Sequence, residues 1–101
     1  MMEAEKGNRM INAIVALKVD RRRIQEVAER VADLRHVSEV YSVSGRWDLI
    51  AMVRAPDTEA LAGIVTGELL KMEVILDSET MLAFRAHSRH DLDAIFSIGS
   101  P

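Results

Sequence analysis

Along residues 10–19, MINAIVALKV, apolar positions alternate. Ile11, Ala13, Val15, Leu17 and Val19 fall on one side at a period of two, which predicts a strand with a buried face. Met10, Asn12, Ile14, Ala16 and Lys18 form a mixed opposite side. From Asp20 the period lengthens. Ile24, Val27, Ala28, Val31, Ala32 and Leu34 recur at helical spacing, with Gln25, Glu26, Glu29, Arg30 and Asp33 opposite them. Asp20 stands where a carboxylate caps a first turn. Residues 37–44, VSEVYSVS, are rich in β-branched and hydroxyl side chains and predict a second strand. Gly45-Arg46 suits a two-residue hairpin turn with glycine first. Residues 48–54, DLIAMVR, return as a strand. Its continuous apolar run from Leu49 to Val53 predicts a central position covered on both faces.

Pro56-Asp57 ends that strand and opens a second helix, with Asp57 as cap and Leu61, Ile64, Val65 and Leu69 as its inward stripe. Gly63 and Gly67 lie off the stripe and read as solvent-side positions, each costing the helix about 1 kcal/mol. Residues 74–85, VILDSETMLAFR, predict a last strand. Val74, Leu76, Ser78, Thr80, Leu82 and Phe84 share one parity, and Asp77 and Glu79 take the other. The stretch HDLDAIFSIGSP carries Leu92, Ile95 and Phe96, enough for one short docking turn.

The order strand, helix, strand, strand, helix, strand predicts an α+β fold. It is the ferredoxin-like βαββαβ sandwich, a four-stranded antiparallel sheet with two helices on one face. The expected domain spans residues 10–86, after a flexible leader at 1–9 and before a C-terminal tail at 87–101. Two helices leave the other sheet face bare, with Ile14, Ala16, Ile50, Met52 and Met81 as its apolar candidates. An exposed apolar sheet is sticky, so a homodimer through the open face is expected.

Composition narrows the function. The 101 residues include four aromatics, Tyr41, Trp47, Phe84 and Phe96, so aliphatic side chains fill the core. No cysteine is present, which excludes disulfides and thiol chemistry and suits a reducing cytoplasm, the expected location. No apolar run approaches the ~20 residues of a membrane span. The formal net charge is −3, against the basic excess of a domain that grips nucleic acid alone, so no direct DNA binding is expected. The basic run Arg21-Arg22-Arg23 sits at a helix start, where the dipole disfavours cations. A solvated turn balanced by neighbouring acids is the simpler account; an anion or partner site is the sharper one. The His87–Asp93 stretch matches no zinc spacing, and no metal or cofactor is expected. His36 reads as a solvent residue. No nucleophile-and-base set emerges.

The periodic first helix, followed by HVSEVYSVSGRWDLIAMV, APDTEALAGIV and DSETMLAFR, resembles the ligand-binding (RAM) domain of the Lrp/AsnC family over roughly residues 10–86. Gly45-Arg46-Trp47-Asp48 matches that family's G-x-x-D hairpin signature, with Trp47 where tyrosine is common. The resemblance implies a non-enzymatic transcription-regulating module. It implies dimers that assemble into octamers or decamers and bind a small-molecule effector, commonly an amino acid, between dimers. The nine residues before the first strand are too few for the family's DNA-reading helix-turn-helix, so a stand-alone module is expected, with full-length Lrp/AsnC regulators as partners. By the same resemblance the effector-binding residues are Gly45, Arg46, Trp47 and Asp48, with Ser78 and Thr80 on the last strand.

The chemistry is suited to this. Asp48 can pair with an ammonium, and turn N–H groups with the Ser78 or Thr80 hydroxyl can bind a carboxylate. Trp47 lines the side-chain pocket or anchors one dimer on another. Asp48→Ala is expected to abolish binding and spare the fold. The plainer alternatives are that Gly45 serves turn geometry alone and that Asp48 satisfies hairpin N–H groups or meets an arginine across an interface. A small cofactor-free enzyme of the dimeric α+β barrel type is the alternative function. A partner that co-assembles with regulators is a third.

Overall fold

The computed structural model describes residues 10–87 and 89. The leader at 1–9, the helical turn expected near the C-terminus and most of the His87–Asp93 stretch lie outside the described residues. Strand β1 is Ile11–Val19. A single 3₁₀ turn, Arg21–Arg23, leads into helix α1, Ile24–Ala32. Strands β2, Val37–Ser42, and β3, Leu49–Ala55, form a hairpin. Helix α2, Thr58–Ala62, continues as a π-helical segment, Gly63–Leu69, and β4 is Ile75–Ala83. The strand order is β2-β3-β1-β4, antiparallel throughout, which is the expected ferredoxin-like sheet.

The period-two pattern of β1 is realised. Ala13, Val15, Leu17 and Val19 are buried, as are Leu49, Ala51, Val53 and Ala55 opposite them on β3. From the helices, Val27, Val31, Leu61, Ile64 and Leu69 close onto this face, and Met72 and Val74 complete the core. Ala32 is the exception in the first stripe, being exposed. Asp57 caps α2 as expected, whereas Asp20 caps the 3₁₀ turn and α1 itself follows Arg23 without a side-chain cap. Asp20 Oδ1 accepts from Arg22 N at 3.0 Å, and Asp57 Oδ1 accepts from Ala60 N at 2.8 Å. Gly63 and Gly67 have no atom within 4 Å of an added Cβ, in keeping with their reading as solvent-side positions.

On the other face, Ile14 stands opposite Met52 and Met81, and Ala16 opposite Ile50 and Glu79. Ile14, Ile50 and Met52 are half-buried, while Met81 and Tyr41 are exposed. Ala16 is already fully buried between its taller neighbours.

Three expectations are corrected. The hairpin is not a two-residue turn. Strand β2 stops at Ser42, the closing bond is Val43 N to Asp48 O at 3.0 Å, and residues 44–47 form the loop. The cause lies on β1, because Asp48 N donates to Leu17 O at 2.9 Å and so is held by the neighbouring strand. Second, the parity expected for β4 fails at its start. The register shifts between Lys18 and Val19, whose partners are Asp77 and Ile75. Leu76 is the extra residue of this bulge, is 65% exposed and no longer shares the parity of Ser78 and Thr80. Third, His36 is half-buried with φ 75°, and its carbonyl accepts from Arg54 N at 2.7 Å. It is a left-handed link between α1 and β2 that the bare residue type did not announce.

Candidate functional site

The hairpin loop, the end of β1 and the first turn of the α1 region converge at one end of the sheet. Gly45 adopts φ 108°, a conformation that suits glycine, so it has a turn role whatever else it does. Arg46 is exposed and its guanidinium carbon stands 5.5 Å from the centroid of the Trp47 ring. That is within the range of a cation–π contact. Trp47 is half-buried. Lys18 Nζ donates to Arg46 O at 3.3 Å, which ties the loop to β1.

Asp48 is the one buried polar or charged residue found among the described residues, at 5% exposure. Its two oxygens are used differently. Oδ2 accepts from the buried Val19 N–H at 3.0 Å. Oδ1 faces Arg21 Nε at 3.5 Å, and the exposures of the two side chains are 7% for Asp48 and 73% for Arg21. The other two arginines of the run are matched locally. Arg22 Nε lies 3.5 Å from Asp20 Oδ1, and Arg23 makes two bonds to Glu26 at 3.2 and 2.7 Å. The basic run is thus balanced by acids, as its simpler account expected. The Arg22 N–H above all holds the Asp20 carboxyl below its usual range. The Arg23 hydrogen bond does the same for Glu26.

These groups line an open recess of about 430 Å³ formed by Lys18, Val19, Asp20, Arg21, Arg22, Asp48 and Leu76. Of the six expected effector contacts, only Asp48 lines it. Gly45, Arg46 and Trp47 belong to the adjoining loop. Ser78 and Thr80 stand on β4 opposite Leu17 and Val15, on the far side of β1 from the hairpin. Thr80 is exposed and Ser78 half-buried. A single chain therefore does not bring the two halves of the expected site together. Lys18, Val19, Asp20 and Leu76 were missed as recess residues, while Arg21 and Arg22 fall in the run already singled out as a candidate anion or partner site. The signal was present in part, since the arginine run at a helix start was already at odds with the dipole. The bulge that turns Leu76 outward had no such signal.

The fold and this hairpin define a ligand-binding domain of transcription regulators. The family model for the Lrp/AsnC ligand-binding domain matches residues 12–92, and the chain belongs to that family. The crystal structure of TTHA0845 from Thermus thermophilus is similar, with 44% identity and a TM-score of 0.73 over 78% of this chain and 99% of that one. The uncharacterized HTH-type transcriptional regulator PH1916 of Pyrococcus horikoshii is 38% identical over 60 residues, which are 59% of this chain and 40% of the relative. The chain thus matches well under half the length of that curated relative. The transcriptional regulator NMB0573 of Neisseria meningitidis, solved as a complex with L-Met, shares the fold alone. Its identity is 16% and its TM-score 0.70, over 88% of this chain and 59% of that one.

Proposed function

We propose that this chain is an amino-acid-sensing regulatory module that binds a free amino acid at the hairpin end of the sheet and transmits binding through assembly of its copies. It performs no catalysis of its own and acts on transcription through partner regulators in the cytoplasm. The observation that carries the reading is Asp48, a buried carboxylate at a recess whose second oxygen meets only a solvent-exposed arginine among the described residues. An ammonium is a natural partner for that oxygen. Family membership supports an effector role, and the NMB0573 complex with L-Met supports an amino acid as the effector class.

Two copies pair through the open sheet face, where Ile14, Ala16, Ile50, Met52 and Met81 gather, and the dimers build octamers or decamers. The ligand then lies between dimers. That location reconciles the divided site, because Ser78 and Thr80 of one copy offer hydroxyls to a ligand held by the Gly45–Asp48 loop of another. A ligand that favours one assembly over another shifts the population toward it.

The test uses Asp48→Asn rather than alanine. An amide oxygen still accepts the Val19 N–H while the charge is lost. Titration calorimetry with the twenty amino acids is expected to find at least one ligand for the wild type and at least tenfold weaker binding for D48N, with unchanged far-UV circular dichroism. Equal isotherms for the two proteins would refute the assignment. Light scattering with and without that ligand is expected to show a change of assembly size.

A further inference from the structure

We infer that Arg21 is an internal competitor for the ligand's ammonium: its guanidinium faces Oδ1 of Asp48 and must leave when an amino acid binds. The inference rests on the amino-acid reading above and names the residue that sets the site's affinity.

The two oxygens of Asp48 differ in what holds them. The bond from Val19 N–H to Oδ2 is buried and belongs to the end of β1. The contact of Oδ1 with Arg21 is long, at 3.5 Å, and one partner is mostly in solvent. Such half-exposed pairs contribute little and exchange readily. Arg21 also begins the 3₁₀ turn, where the helix end does not favour a cation, and no other acid among the described residues lies within ion-pair distance of it. Among the described residues its electrostatic anchor is therefore the oxygen that the ligand needs.

The recess suits a zwitterion once Arg21 swings out. Asp48 supplies the negative side. Lys18 and Arg22 supply the positive side, and Leu76, pushed outward by the bulge, offers an apolar wall. Arg22 differs from Arg21 in its acid: its Nε lies 3.5 Å from Asp20, in a pair still more exposed than that of Arg21, so its guanidinium lines the recess without pairing with Asp48. The two neighbouring arginines thus have opposite roles: one excludes the ammonium and the other attracts the carboxylate.

This separates them experimentally, because Arg21→Gln and Arg22→Gln change the net charge equally. Calorimetry with the best wild-type amino-acid ligand is expected to give about two- to fivefold tighter binding for R21Q, the gain from removing a long, half-exposed pair. R22Q is expected to bind more weakly than wild type. Tightening of both variants alike is a bulk charge effect and overturns the inference. Loss of affinity in R21Q also overturns it, since Arg21 is then a ligand contact, while amino-acid sensing stands. If neither the wild type nor R21Q binds any of the twenty amino acids, amino-acid sensing itself fails and the inference falls with it.

Discussion

Gly45 and Gly63 both have open space where a Cβ would stand, yet opposite responses to alanine are expected. At Gly45 the backbone, with φ 108°, is strained for any L side chain, and G45A is expected to lose about 1–3 kcal/mol. At Gly63 the backbone is already helical, so G63A stabilises by about 0.4–1 kcal/mol by restricting the unfolded chain. Urea denaturation of both variants checks the pair, and a gain in G45A contradicts the loop conformation. Asp48 belongs to the same scale. The expectation that Asp48→Ala spares the fold is revised, because alanine leaves the buried Val19 N–H without its acceptor. D48A is expected to be less stable by about 1–3 kcal/mol, with D48N close to wild type.

Among the elements, α2 shows what an amphipathic stripe can and cannot say. At about 100° per residue, a continuous α-helix carries Glu68 between Ile64 and Val65, in the middle of the apolar arc. The chain avoids this by widening. Leu70 N bonds to Val65 O, five residues back, at 3.0 Å, and Leu69 is wholly buried while Glu68 stays in solvent. The stripe residues were legible, but the π segment that makes Leu69 reach the core was a response to packing. The caps were legible because they depend on local donors alone. Removing one, in Asp57→Ala, is expected to cost about 1 kcal/mol, read as a lower urea midpoint with an unchanged slope. An unchanged midpoint would mean that the N–H of Ala60 is satisfied otherwise.

For the whole molecule, the decisive feature is the sheet face that neither helix covers. Ile14, Met52 and Met81 stand side by side across β3, β1 and β4. Met52→Lys introduces a charge into the centre of this patch. The wild type is expected to behave as a dimer or larger in light scattering, and M52K as a single chain with its secondary structure intact. A wild type that stays a single chain at high concentration sinks the pairing and the ring assembly that depends on it.

Strand period, helix stripe, caps and the position of the hairpin follow from local spacing, and with them the order of elements and the family resemblance. Each depends on residues within a turn or a strand of one another, so each was readable along the chain. The length of the hairpin loop, the bulge at Leu76, the π segment and the inward turn of Asp48 were decided only by the tertiary structure. Each results from a contact with another element: Leu17 and Val19 on β1 hold Asp48, and the core admits Leu69 in place of Glu68. A contact between positions about thirty residues apart has no local period, and so the identity of Asp48 was legible where its partners were not.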